Sequence, residues 1–146
     1  MIALDVVDVV VIDDDLDLRM LTTLTFEMQG WSVATAADGP EGLQLLTNLC
    51  ESGARPAVLL DVQMPEIDGW EVLARIRTDA TLRDLGVLLC TVRAGEQDRV
   101  RGFQIGADDF VPKPFDIDGL VDQVRAVMET PAARRAQLRR DRPSNG

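Results

Sequence analysis

Histidine is absent from this 146-residue chain. Its absence removes the commonest general base and the commonest transition-metal ligand. Any catalysis must therefore use carboxylates, hydroxyls, lysine or a hard metal ion. Lysine is almost absent as well: of the fifteen basic residues, only Lys113 is a lysine. Cysteine is limited to Cys50 and Cys90, in unrelated segments, and both are expected to be free thiols. No apolar run approaches the ~18 residues of a membrane span, so no membrane insertion is expected. The opening MIALDVVDVV lacks a basic region and carries aspartates where a secretory signal would be apolar, which predicts a cytoplasmic location.

What is present is a chain 46% hydrophobic with a net charge of −10, enough for one domain with a real core and too apolar for a disordered acidic chain. Charge is unevenly spread. Residues 131–146 hold five Arg and one Asp, leaving −14 on residues 1–130. Such an acidic body is not expected to bind nucleic acid directly. The organisation read from charge is one domain over 1–130 and a flexible Arg-rich tail or linker over 131–146.

Short apolar runs alternate with helical patterns. VDVVVI (7–12) reads as a buried strand, and Leu18, Leu21, Leu24, Thr25 and Met28 mark a helix ended by Gly30. WSVATA (31–36) is a second strand. Pro40 suits the first turn of a helix whose face carries Leu43, Leu46 and Leu49. AVLLD (57–61) is a third strand. Asp68 and Glu71 predict a capping box for a helix with Trp70, Leu73 and Ile76. GVLLCTV (86–92) is a fourth strand, followed by a helix over about 95–105. DDFVPKP holds a fifth strand, and Ile117, Leu120, Val121, Val124 and Val127 mark the last helix. Five strand–helix units predict an α/β fold with a parallel sheet covered on both faces.

In a doubly wound sheet, ligands bind at the carboxyl ends of the strands. Asp13, Asp14 and Asp15 end the first strand, Asp61 the third and Thr91 the fourth, and the single lysine follows the fifth. Carboxylates without His or a reactive Cys suit a hard cation, Mg²⁺ best, because it takes a few carboxylates and keeps waters for a phosphate-bearing partner. A cation, a hydroxyl and an ammonium together make a phosphoryl site, in which one carboxylate would be the nucleophile. Other acids have plainer expected roles. Asp15 or Asp17 caps a helix, Asp68 caps another, and Asp108 and Asp109 lie on a solvated turn. Trp70 is expected to pack, and Met20, Met28 and Met128 to sit in the core or on helix faces.

At VVVIDDD, LLDVQMPEIDGWEVL, CTVRAG and GADDFVPKPF the chain resembles the receiver domains of two-component response regulators, over roughly residues 6–130. The resemblance implies a flavodoxin-like five-stranded sheet in the order 2-1-3-4-5 with five helices. It implies Asp61 as phosphoacceptor and Asp13, Asp14, Asp61 and the backbone carbonyl of Gln63 as Mg²⁺ ligands. It also implies Thr91 as switch hydroxyl, Phe110 as switch aromatic, Lys113 as phosphate-binding lysine, and a cis Lys113–Pro114 bond. The implied donor is a histidine kinase or phosphotransfer protein, and the output partner is unknown. Phosphorylation would draw Thr91 inward, let Phe110 follow, and change the surface of helix four, strand five and helix five. The chain would catalyse only its own phosphorylation and dephosphorylation.

Some positions depart from the family pattern. Val92 replaces a small residue and is expected to narrow access to Asp61. Arg93 is expected to shield the phosphoryl group from water. Gly119 and Gln123 replace the Glu and Arg that the winged-helix branch uses to dimerise. Sixteen residues after the last helix predict a stand-alone, chemotaxis-regulator-like receiver. Two alternatives are a degenerate receiver acting as a binding module and a haloacid-dehalogenase-type phosphohydrolase. The latter wants an acid two residues past its nucleophile, where this chain has Gln63.

Overall fold

A computed structural model describes residues 6–142, so the reading of MIALD as the start of a cytoplasmic chain, and of residues 143–146 as tail, lies outside the described residues. Three central strands are largely apolar and β-branched runs: β1 (Val9–Ile12), β3 (Ala57–Leu60) and β4 (Val87–Thr91), with β2 (Val33–Ala36) and β5 (Asp109–Pro112) at the two edges. The order is β2-β1-β3-β4-β5 and every pairing is parallel. The expected topology is therefore the observed one.

Strand alternation divides the core. Val10, Ile12, Val58, Leu60 and Leu89 pack on one face against α2 (Gly39–Glu51), α3 (Gly69–Thr78) and α4 (Glu96–Ile105). Val9, Val11, Leu59, Leu88 and Val111 pack on the other, against α1 (Leu16–Glu27) and α5 (Ile117–Glu129). Both faces are covered, so the central strands show no polar alternation. Aspartates cap four of these helices: Asp15, Asp38, Asp68 and Asp116 each accept a backbone N–H from the first turn. Asp68 accepts from Glu71 N at 3.0 Å, the N-cap half of the expected box, while the Glu71 carboxylate lies 3.8 Å from Arg75. Gly106 ends α4 at φ 126°, a conformation a side chain would oppose.

Three expectations are corrected. First, there are six helices among the described residues, not five: residues 132–141 of the tail form their own helix, α6 (Ala132–Asp141). Ala132, Ala133, Ala136 and Leu138 favour helix locally, and arginines hold it to the domain. Second, Asp108 is not on a solvated turn. Its side chain is 6% exposed and paired with Arg77 at 2.8 Å and Arg139 at 2.6 Å. Burial pulls Arg77 down to about 10 and Asp108 opposes this, so the guanidinium stays charged at neutral pH. Third, of the expected face of α1 only Thr25 is fully buried, together with Thr22 and Phe26, while Leu21, Leu24 and Met28 are exposed. The two threonine hydroxyls donate to the carbonyls of Leu18 and Leu21, both at 2.8 Å, which satisfies them without water. Met20 is exposed as well, and Met128 packs partly buried under the second face. Trp70 is buried as expected, and both cysteines are buried free thiols.

Candidate phosphoryl site

The carboxyl ends of β1, β3 and β4 and the loop after β5 meet at one edge. Asp13 is 3% exposed, Asp61 7% and Thr91 0%, while Asp14 is exposed to solvent. Carboxylate oxygens of Asp13, Asp14 and Asp61 all lie within 4.8 Å of one another. Lys113 Nζ reaches in to donate to Asp13 Oδ2 at 2.8 Å and Asp61 Oδ2 at 3.2 Å. The Lys113–Pro114 bond is cis, as expected. The structure thus brings Asp13, Asp14, Asp61 and Lys113 together.

Backbone donors fix the rotamers. Asp13 Oδ1 accepts from Asp15 N at 2.9 Å, and Asp61 Oδ1 accepts from Gln63 N at 3.2 Å. Gln63 therefore stands directly at Asp61, with its side chain exposed. Thr91 Oγ1 accepts from Arg93 N at 3.1 Å, which leaves its hydroxyl proton to donate elsewhere. Arg93 itself leans away to Asp98, at 3.3 Å, and Val92 is 62% exposed.

The electrostatics follow from crowding. Burial, and then the Asp13 charge, push the Asp61 carboxyl above its ordinary value; Lys113 and the Gln63 N–H oppose the shift. Burial pulls Lys113 down, but the hydrogen bond and charge of Asp13, with the charge of Asp61, outweigh it, so the ammonium is held above its ordinary value. Burial pushes the nearby Cys90 thiol up to about 12, which makes it a packing residue and not a nucleophile. Three clustered carboxylates against one ammonium are short of positive charge. Their all-oxygen donor set fits a hard divalent cation.

Phe110, the ring expected to follow Thr91 on phosphorylation, is 1% exposed, with the Arg99 guanidinium 5.1 Å from its ring centroid. Asp109, beside it, accepts from Gln123 at 3.1 Å, so the residue standing in place of a dimer-forming arginine is used within the chain. Sequence reasoning missed two positioning residues. Arg19 Nη1 donates to the Asp13 carbonyl at 2.7 Å, holding the acidic loop from α1. Gly69 lies directly beneath the Asp61 backbone, donating its N–H to Val62 O at 2.8 Å. The signal for Gly69 is a glycine directly after the Asp68 cap, at the start of a helix where glycine is otherwise unfavourable.

The family model of the response regulator receiver domain matches residues 9–125. Response regulator MprA of a Mycobacterium species is 41% identical over 123 residues, covering 84% of this chain and 50% of that protein. The DNA-binding dual master transcriptional regulator RpaA of a Synechocystis species is 36% identical over 120 residues, covering 82% and 48%. The chain thus spans about half the length of these curated relatives. Among solved structures, chemotaxis protein CheY4 of Vibrio cholerae superposes with a TM-score of 0.73 at 26% identity, covering 83% of this chain and 98% of that one. Sheet order, the clustered acids with Lys113, and the family match agree: the chain belongs to the response regulator receiver domain family.

Proposed function

We propose that this chain is a phosphorylation-dependent signalling switch acting in the cytoplasm. The observation that carries the reading is the placement of Lys113 Nζ 3.2 Å from the buried Asp61 carboxylate, inside the acidic cluster. An Asp61 oxygen attacks the phosphorus of a phosphohistidine on a histidine kinase or phosphotransfer protein. The P–N bond breaks, and the imidazole leaves and takes up a proton. Lys113 pairs one phosphoryl oxygen and the Thr91 hydroxyl donates to another. Asp13, Asp14, Asp61 and the Gln63 carbonyl would hold Mg²⁺, which supplies the positive charge that the carboxylates and the phosphoryl group lack. The donor meets an apolar stripe on α1, where exposed Leu16, Met20 and Leu24 recur every fourth residue directly after the acidic loop. Once Asp61 is phosphorylated, Thr91 shifts and the surface of α4, β5 and α5 changes for an output protein. The receiver turns over no separate substrate.

The test is incubation with Mg²⁺ and acetyl phosphate. The reading requires acid-stable, base-labile phosphate that disappears with chelator and in Asp61→Asn. No label would leave a binding module, and multiple turnover of phosphomonoesters would mean a phosphohydrolase.

The Arg93–Asp98 pair sets up a second measurement. If Arg93 shields the acyl phosphate, Arg93→Ala shortens its lifetime, and Asp98→Ala, which frees the guanidinium, lengthens it. A half-exposed ion pair is worth up to about 1 kcal/mol, or roughly fivefold in rate. Lifetimes that do not move in opposite directions would sink the shielding role.

A further inference from the structure

The inward face of α6 carries Arg135 and Arg139, and Arg142 follows at its C-cap, so that three arginines fall at the i, i+4, i+7 positions where an amphipathic helix ordinarily places apolar residues. None of the residues of α6 is fully buried. The helix is therefore held by arginine donors, not by a hydrophobic seam. Arg139 Nη1 lies 2.6 Å from Asp108 Oδ1, while Arg77 of α3 occupies the other oxygen at 2.8 Å. Arg142 donates to the carbonyl of Ala107 and, at 2.6 Å, to that of Asp108. Its guanidinium also lies 4.2 Å from the Phe103 ring centroid. Arg135 donates at 2.8 Å to the carbonyl of Asp84.

The receiving side belongs to the body of the domain. Asp108 would be a buried anion without its guanidinium partners, and Arg77 with the Val87 N–H fills only one of its two oxygens, Oδ2. Ala107 and Asp108 offer adjacent carbonyls at the start of β5, and Phe103 offers an aromatic face from α4. A carboxylate, two carbonyls and a ring are what a guanidinium engages through its donor fork and its flat face. Phe103 also packs edge-on against Phe110, with centroids 6.5 Å apart, so this surface is continuous with the inner aromatic of the α4–β5 face. Contacts built on charge with little apolar burial weaken with salt.

We propose that Phe103, Ala107 and Asp108 form an arginine-binding docking site on the α4–β5 face, filled in cis by α6, and that a protein partner using it presents an arginine-bearing helix that displaces α6. The exchange needs no phosphorylation step, so it stands or falls separately from the switch reading. Cis occupancy competes with any partner at the effective concentration of a short tether, in the millimolar range.

A labelled peptide of residues 131–142 serves as the probe, titrated by fluorescence anisotropy against the full chain at low and high salt. Wild type binds it weakly because its own α6 fills the site. Arg139→Gln with Arg142→Gln empties the site and leaves the Asp108–Arg77 pair intact; this variant binds the peptide roughly tenfold or more tightly, and salt weakens the binding. Adding Asp108→Asn removes that gain. Because Asp108 also accepts from Val87 N at 2.8 Å and that variant could unfold, Phe103→Leu provides a second reduction from outside the ion pair. Equal binding by wild type and the double arginine variant would overturn the proposal. So would equal binding of a scrambled peptide of the same composition, which would reduce the effect to attraction by the acidic body.

Discussion

Asp61→Asn takes up no phosphoryl group and yet is more stable than wild type at pH 7 without divalent cation. The loss is total because an amide oxygen is not a competent nucleophile for the acyl phosphate. The gain follows from the environment of the carboxyl. Burial and Asp13 raise its folded value above the ordinary range, so the folded state prefers the protonated acid. A raised value contributes stability that is fully present below the unfolded value, about 3.9, and is lost as pH rises through the folded value. At pH 7 the ionised Asp61 is therefore a cost. Asparagine keeps the shape without the charge, and Lys113 keeps its Asp13 partner at 2.8 Å. The expected result is a higher Tm for the variant, each kcal/mol gained being worth roughly 2–4 °C at this chain length. The gain shrinks as pH falls through the folded value and is gone once pH is well below about 4, where the wild-type acid is protonated in both states. Adding Mg²⁺ at ten times its dissociation constant stabilises wild type by about 1.4 kcal/mol and narrows or reverses the order. Thermal melts of both proteins across pH, with chelator and with Mg²⁺, decide it. An Asp61→Asn protein less stable than wild type at pH 7 in chelator would refute the account.

Why this site was readable from sequence is itself physical. Strands buried on both faces are continuous apolar runs, so the first polar residue after each run marks the carboxyl edge where a doubly wound sheet places its chemistry. Asp13, Asp61 and Thr91 each stand at such a boundary. Lys113 stood out because the chain has no other lysine. The helices were less legible where the cue was ambiguous. On α1, Leu21, Leu24 and Met28 look like a core stripe, but of the expected face the helix buries only Thr25, and it turns Thr22 and Phe26 inward beside it. A threonine whose hydroxyl is satisfied by its own helix packs much as valine does, so burial there follows shape and not polarity. The docking of α6 was hidden for another reason. Its anchor Asp108 is 31 residues from Arg139, and neither residue type announces burial unless the other is known to face it. Phe110 shows the limit of reading state from sequence: its position names a switch aromatic, but only packing under Arg99 reveals which way the ring lies.

Gly69→Ala is expected to damage both the fold and phosphoryl uptake, although it adds a single methyl group. A Cβ at Gly69 would meet Asp61 O at 2.3 Å, Val62 Cα at 2.6 Å and the Asp61 carbonyl carbon at 2.9 Å. All three are backbone atoms, so no rotamer change relieves the clash. Either α3 withdraws from the sheet or the Asp61–Val62 backbone moves. Overpacking of this kind costs about 1–3 kcal/mol where side chains can yield, and with only backbone to yield the upper end is expected. The second consequence is functional. Moving Asp61 by about 1 Å relative to Lys113 costs on the order of 100-fold in a positioned reaction, so phosphoryl uptake falls even where the variant remains folded. Gly119→Ala is the matched control. Its Cβ meets nothing closer than Asp116 Oδ2 at 3.4 Å, an ordinary contact within the first turn of α5. Replacing a helical glycine with alanine there gains up to about 1 kcal/mol. Urea unfolding should therefore separate the two substitutions in opposite directions, with acetyl phosphate labelling reduced in the first alone. If Gly69→Ala unfolds at the wild-type urea midpoint and labels at the wild-type rate, the backbone beneath Asp61 is not the rigid support described here.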